Sequence, residues 1–458
     1  MRAHPSGAAP SETALSDPTS LQQAHYVLPS QLCVGMHVNL ELNWSEHPFT
    51  FSSFVIKSPD QIDKIRALNL PRVRWNPDKS DLGSEDDASI AGVPGAADAA
   101  DDLGADAASA YPSAEDLARE EHRRALAAQR EALLLCERQY GEAANAFRDL
   151  MDLLPRDPRS TRDQAMALTS AMLDKMLVEG DLNIRLLNEG AGDRSTAHAL
   201  NVSIISLLLG RAFGLGREEM MDLGVGALLH DVGKTEVLAR LRHRDDSFSA
   251  AEVQAYQQHV AKGVALAQNM GVSSGALLVI AQHHENADGS GFPQRINMDR
   301  MSTAARIVAL VNRFDGLCNP LLASKAMTPH EALSLMFAQG RNRFDSTMLN
   351  AFIRMMGVYP PGSAVQLTDD RYALVVAVNS SRPLKPRVMV HDIKVPRDEA
   401  LILNLEASPD LGIRRSLKPQ QLPRAALDYL SPRSRVAYFF ESVPPATQPG
   451  ELAGELAA

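Results

Sequence analysis

The sequence predicts a mainly α-helical chain, with a small α+β module ahead of the helices and a small β element behind them. Three observations carry that reading. Apolar residues recur at helical spacing, with capping signals, across residues 113–345. After Tyr359 they alternate at period two. Between these helices and a folded-looking module at 26–78 lies an acidic stretch, 79–112, rich in Ala, Gly and Asp.

Residues 1–25 are polar, contain Pro and Ser, and lack periodicity, so they are expected to be disordered. Within 26–78, QLCVGMHVNLELNW and FSSFVIKS hold strand-like runs, and PDQIDKIRALNL reads as a short helix. Ile62, Ile65 and Leu68 lie on one face of it, with Ser58 as N-cap and Pro59 in the first turn. His37 and His47 in this module read as scattered surface histidines. The 79–112 stretch has too little apolar surface to offset its ordering entropy and is expected to be a linker.

A helix is expected from near Ser113, where Asp116 gives a capping pattern, through Leu117, Leu126, Leu133 and Leu134 to about Leu154. Pro155 and Pro158 break it. Thr161 with Gln164 is expected to cap a second helix running toward Glu189. This pair reads as the first helices of a bundle; a dimerisation stalk is the alternative, although the apolar stripe is not strictly heptad. The next helix, from about Thr196 to Phe213, buries Leu200, Ile204, Leu207 and Leu208. Another, from Glu218, turns Met220, Leu223, Ala227 and Leu228 inward and ends at His230-Asp231-Val232-Gly233, with Gly233 expected at the C-cap. Thr328, Pro329 and Glu331 start a further helix. Residues 346–442 are expected to be a C-terminal extension: GSAVQL, a turn at Asp369-Asp370, RYALVVAVN and PRVMVHD read as an appended antiparallel β element. Residues 443–458 are a Pro/Gly/Ala tail.

Composition narrows the function classes. The net charge is −10, and Asp81, Glu85, Asp86, Asp87, Asp98, Asp101, Asp102 and Asp106 contribute much of it. No basic face is indicated, which argues against duplex nucleic acid as a partner. Cys33, Cys136 and Cys318 show neither metal spacing nor a paired framework, as suits a reducing compartment. No apolar run approaches the roughly 18–20 residues of a membrane helix. A cytoplasmic location without membrane association is expected.

Chemistry concentrates between residues 198 and 284. The stretches HALNVS, LLHDVGK, QQHVAKG and AQHHENADGSGFP contribute His198, His230 with Asp231, His259, and His283 with His284. Imidazole and carboxylate without cysteine suit a divalent metal on nitrogen and oxygen, such as iron, manganese or zinc. Adjacent His-Asp and His-His pairs let one backbone element supply two ligands or feed two metals, and paired metals are the usual machinery for cleaving a phosphodiester. Polar ligands at the end of an otherwise apolar helix are costly unless coordinated or paired.

LLHDVGK resembles the signature of the HD phosphohydrolase superfamily, and HHENADGSGFP resembles the motif of its HD-GYP subfamily, with Phe292 in place of tyrosine. The likeness covers roughly residues 190–340. It implies an HD-type helical bundle holding two divalent ions, iron, manganese or similar. His198, His230, Asp231, His259, His283, His284 and Asn312 are the implied ligands, with Asp231 bridging. It implies Lys234 beside Asp231 in catalysis, facing a nonbridging phosphate oxygen, and a substrate loop of Asp288, Gly289, Gly291, Phe292 and Pro293, whose glycines permit tight turns and close backbone approach. The implied substrate is cyclic di-GMP in bacterial signalling. The module at 26–78 resembles the small domain of unknown function often joined ahead of HD-GYP domains.

The chain departs from that pattern at several places. Asn312 stands where an aspartate ligand is expected, and Arg194 where members with three metals carry an acidic ligand. Leu321 and Ala323 replace an arginine and a tyrosine, and RHRDDS replaces a Lys-Pro-Gly loop. Three readings follow: a metal-dependent cyclic di-GMP phosphodiesterase; a weakly active or inactive relative that works as a binding or scaffold protein in signalling; or an HD enzyme acting on a related small nucleotide. A homodimer or a signalling-protein partner is expected alongside.

Overall fold

The computed structural model describes residues 25–42, 49, 53–68, 70–80, 114–177, 180–187, 193–339, 342–379 and 382–442. The expected N-terminal tail, His47, the acidic linker and the C-terminal tail lie outside the described residues.

The N-terminal unit is an antiparallel sheet with one helix. Its strands are β1 (His25–Val27), β2 (His37–Asn39), β3 (Ser53–Val55) and β4 (Val73–Asn76), in the order β1-β4-β2-β3. Helix α1 (Pro59–Ala67) begins with Pro59 behind an extended Ser58 and buries Ile62 and Ile65. Ser58 makes no side-chain cap bond; instead Gln61 reaches back to accept from the Lys57 N–H at 2.6 Å. Val38, Ile56, Ile65 and Val73 form the core of this unit.

The larger unit is built on helices. α2 (Ala114–Leu153) is followed by α3 (Pro158–Met176). The cap of α3 differs from expectation. Asp157 accepts from Ser160 N at 3.1 Å, Pro158 takes the first helical position, and Thr161 lies inside the helix donating its hydroxyl to the Asp157 carbonyl. The helix also stops well short of Glu189. Leu182–Leu186 is instead a fully buried strand, β5. Its polar residues made a helical face look plausible, but each has a strand-geometry partner: Asn183 donates to Glu441 at 3.1 Å and Arg185 pairs with Glu441 at 2.7 Å.

α4 (Arg194–Ala212) runs through the middle of the unit. Asp193 caps it by accepting from Ser195 and Thr196, and Leu200, Ile204, Leu207 and Leu208 are all buried. α4 packs against α5 (Arg217–Leu229) and α8 (Thr303–Cys318); α7 (Ser274–Gln282) lies on these two, α6 (Ala250–Met270) on α7 and α3, and α9 (Pro329–Gln339) on α8. α9 starts as its sequence suggests, with Thr328 and Glu331 exchanging capping bonds at 3.0 and 3.2 Å. The helical core does not end at 345. α10 (Ser346–Met356) adds Met348, Leu349, Phe352, Met355 and Met356 to it, and the Phe352 ring meets that of Phe314 at 5.2 Å.

The C-terminal strands are β6 (Ala364–Leu367), β7 (Tyr372–Asn379), β8 (Arg387–Val390), β9 (Ile402–Asn404), β10 (Ile413–Leu417) and β11 (Tyr438–Ser442), with α11 (Arg424–Leu430) before the last. They are not an appendage. β5 lies between β7 and β11 in a seven-stranded sheet, and Tyr438, Phe439 and Phe440 join the same apolar core as the helices. The short β5 could not be separated by period alone from the helical text around it, so the sheet's extent was underread.

Candidate metal centre

Four helices deliver the six histidine and aspartate side chains to one place. His198 sits one turn into α4, His230 and Asp231 at the end of α5, His259 in the middle of α6, and His283 and His284 at the end of α7. The ligand atoms fall into two groups, Asp231–His259–His283–His284 and His198–His230–Asp231, the atoms of each lying within 4.8 Å of one another. Asp231 belongs to both. Its Oδ1 faces His259 and His283 at 3.6 and 3.7 Å, and its Oδ2 faces His198 and His230 at 3.5 and 3.4 Å.

The histidines are oriented by their own helices. Nδ1 of His230 lies 2.7 Å from the Ala227 carbonyl, that of His259 lies 2.6 Å from Tyr256, and that of His283 lies 2.8 Å from Ile280. A carbonyl only accepts, so each Nδ1 carries the proton and each Nε2 turns a bare lone pair to the cluster. The Nε2 atoms converge accordingly: His198 with His230 at 3.2 Å, and His259 with His283 at 3.3 Å. His198 has a different partner. Its Nδ1 meets Asp315 Oδ2 at 2.6 Å, and Asp315 Oδ1 accepts from Asn201 and Asn319 at 2.8 Å each.

Gly233 is not a helix C-cap. It lies in a 3-10 turn, Val232–Glu236, pressed against α6, where an added Cβ would sit 2.0 Å from the His259 carbonyl oxygen and 2.3 Å from Gly263 N. That contact is what brings Asp231 and His259 together.

The electrostatics favour a ready donor set. Burial pushes His259 down to about 4 despite Asp231, and pushes His283 and His284 well below the usual histidine range, helped by their histidine neighbours. Burial alone would raise the Asp231 carboxyl, but Lys234 first and His230 next outweigh it and hold it well below the carboxylate range. At neutral pH His259, His283 and His284 are neutral imidazoles beside an ionised carboxylate, and metal binding need displace no proton from these three. Asp231 Oδ1 is shielded from solvent without a hydrogen-bond partner, which suits an atom that binds a cation.

Lys234 Nζ lies 2.5 Å from Asp231 Oδ2 and 5.8 Å above the centre of the Tyr256 ring. In the 288–293 loop, Phe292 stacks on His284 with ring centres 4.4 Å apart. Gly291 is needed for close approach, since a Cβ there would sit 2.4 to 2.5 Å from Asn286 N, Glu285 Cα and the His284 carbonyl. Asp288 is not brought to the cluster: it is exposed, and its carboxylate accepts from Ser290 N at 2.9 Å within the loop. Pro293 follows Phe292 at the exposed loop edge. Asn312 is half-buried on α8, one turn before Asp315.

Sequence reasoning passed over several participants. Asp315 is the chief one; it stands on the apolar stripe Ile307–Val308–Val311–Phe314–Cys318, where an unpaired carboxylate would be costly, and that was the available signal. Glu285 holds the loop by accepting from Gln294 and Arg295 N–H at 2.7 and 3.2 Å. His243, from the RHRDDS segment, has its pKa pushed down to about 4 by burial and then by Arg194 and Lys234, which places it among the cations around the cluster.

No helix among the described residues is long and apolar enough to cross a membrane. Residues 183–348 match the HD domain, and residues 27–165 match a domain of unknown function, DUF3391. A cyclic di-GMP phosphodiesterase of Pseudomonas aeruginosa is 26% identical over 366 residues, 79% of this chain and 83% of that protein. A cyclic di-GMP phosphodiesterase of Borreliella burgdorferi is 21% identical over 228 residues, 49% of this chain and 60% of that protein. Among solved structures, an HDG"Y"P protein from Bdellovibrio bacteriovorus aligns over 72% of this chain and 98% of its own with 14% identity and a TM-score of 0.38. The chain thus carries an HD domain over residues 183–348, with the DUF3391 match over residues 27–165 ahead of it.

Proposed function

We propose that this chain is a phosphodiesterase of cyclic di-GMP that works with two divalent metal ions. The observation that carries the reading is Asp231, whose two oxygens each face a separate histidine group while Oδ1 has no hydrogen-bond partner. The similarity to the Pseudomonas phosphodiesterase, extending over most of both chains, supports the substrate class.

His259, His283 and His284 would hold one ion and His198 and His230 the other, with Asp231 between them. Bound there, such ions supply Lewis acidity and activate water at neutral pH. The chain's own contributions are then distinct. The backbone carbonyls of Ala227, Tyr256 and Ile280 keep three imidazoles in the ligating tautomer. Lys234 keeps Asp231 ionised, and its ammonium would add positive charge near a bound phosphate as its part in catalysis. Phe292, stacked on His284, would offer an aromatic face to a base, and Gly291 lets its loop approach the backbone of His284, Glu285 and Asn286 closely. Asn312 stands one turn before Asp315 on the same helix, and its side-chain oxygen would be a neutral donor to one ion.

The test is hydrolysis of cyclic di-GMP by protein loaded with manganese or iron, with metal content measured alongside. Two equivalents of metal with turnover, both lost in Asp231→Ala, is the expected result. Two equivalents of metal with no turnover would favour the binding or scaffold reading, for which Asn312, Leu321 and Ala323 are the motive.

A further inference from the structure

Arg194 is a cation without an anion. It is the first residue of α4, one turn before His198, so the two side chains share a helix face. Its Nε and Nη2 both donate to the Asn319 carbonyl at 3.2 Å, fixing the plane of the guanidinium. Its Nη1 is shielded from solvent and has no partner. No carboxylate pairs with it among the described residues. Its electrostatic neighbours, after burial and the Arg435 charge, are Asp315, Asp231 and Tyr256, which puts it beside the metal cluster.

Each of these features is unfavourable in a purely structural residue. A cation in the first turn opposes the helix dipole, which prefers an anion there. A half-buried guanidinium with no counter-charge has lost hydration without replacement. An unused N–H in a shielded place has lost its water without gaining a partner. All three are relieved by one event, an anion arriving at Nη1. Asn319 also donates to Asp315, the partner of His198, so one polar network fixes both a proposed metal ligand and this cation.

We propose that Arg194 binds a phosphate oxygen of the substrate through Nη1, as a substrate-positioning cation at the edge of the metal cluster. The proposal rests on the phosphodiesterase reading for the identity of the substrate, but its chemistry, a guanidinium facing a phosphate, does not. Lys234 is already engaged by Asp231, whereas Arg194 has no carboxylate partner among the described residues, so its positive charge is not spent within the site.

The experiment titrates manganese-loaded full-length protein with inorganic phosphate and, separately, with cyclic di-GMP. Wild type is compared with Arg194→Ala, Arg194→Lys and Arg194→Gln, and metal content and melting temperature are followed in each. Gln keeps an N–H for the Asn319 carbonyl and guards against a variant that simply fails to fold. The expected result is phosphate binding weakened on the order of tenfold or more in Ala and Gln, partial retention in Lys, and unchanged metal content. Unchanged phosphate affinity in both Ala and Gln would overturn the proposal. So would a loss of metal that tracks the loss of phosphate, because Arg194 would then act only through Asn319 and Asp315 on His198. Wild type that binds no phosphate also overturns it. If wild type binds phosphate through Arg194 but not cyclic di-GMP, the inference about Arg194 stands and the dinucleotide assignment fails.

Discussion

Replacing Asp315 by Asn should cost the site His198 as a metal ligand, although His198 itself is left unchanged. In the native network Asp315 Oδ1 accepts two amide N–H bonds, from Asn201 and Asn319, both at 2.8 Å. In Asp315→Asn the new side-chain oxygen must take that position, since an NH2 there would face two donors. The new NH2 is then left 2.6 Å from where His198 Nδ1 now sits. His198 can accept that bond only by moving its ring proton to Nε2. Nε2 is the atom that faces Asp231 and His230, at 3.5 and 3.2 Å, and once protonated it cannot ligate. Losing the orienting partner of a metal-bound histidine typically costs 10–100-fold in affinity, which is about 1.4 to 2.8 kcal/mol. Folding should suffer less, because Asn201 and Asn319 keep their partners. Chelator competition for manganese measures the affinity, and nitrogen-15 spectra of the histidine rings in zinc-loaded or metal-free protein read the tautomer. Wild-type affinity together with a His198 still protonated at Nδ1 would refute the reasoning.

Three further outcomes follow from the same geometry. Metal-free protein should lose stability on acidification from about pH 6.5 toward 4: His259 is neutral in the fold down to about 4 but charges near 6.5 when unfolded, so the unfolded state takes up protons first, worth on the order of 3 kcal/mol for this residue; urea melts at stepped pH would show it, and a flat profile would contradict it. Gly233→Ala should destabilise by about 1 to 3 kcal/mol or more and weaken metal binding, because its Cβ meets backbone atoms of α6 that cannot yield as a side-chain tip would; calorimetry and metal titration check both. Asn312→Asp should tighten metal retention before it raises turnover, since a carboxylate neutralises charge that an amide oxygen does not; equal metal retention would show that this position is not a ligand.

The helices were legible because their signals are local. The α4 and α5 apolar faces follow from period alone, and α9 announces itself through Thr328, Pro329 and Glu331. The ligand histidines were legible for a different reason: polar residues interrupting buried helices have few tolerable explanations, and the likeness of four ordered motifs removed most of them. What stayed hidden depends on distant partners. β5 reads ambiguously because Asn183 and Arg185 are satisfied only by Glu441, far along the chain. Asp157 won the α3 cap over Thr161 because Pro158 fixes where the helix begins. Asp315 is hidden in the sequence because its partners His198 and Asn201 come from another helix, α4, and Asn319 from just past its own, and only the fold shows which ligand it orients.

The Asp315 network also explains why the site cannot be separated from the C-terminal sheet, even though the HD match ends at residue 348. Asn201 gives one N–H to Asp315 and the other to the Val436 carbonyl at 2.9 Å, while its oxygen accepts from Tyr438 N at 3.1 Å. Asn319 repeats the pattern, with Val436 both accepting from its amide and donating to its oxygen at 2.9 Å. Every polar atom of the two amides is therefore used, with one N–H of each on the carboxylate behind His198 and the other N–H and the oxygen of each on the chain entering β11. A fully satisfied buried network is rigid, and a partly satisfied one is costlier than none. Release of β11 would strand two buried amides beside Asp315 and free the carboxylate that sets the His198 tautomer. The orientation of a proposed metal ligand on α4 and the docking of the last strand are thus a single structural event, which makes the folding unit of the site longer than its motifs.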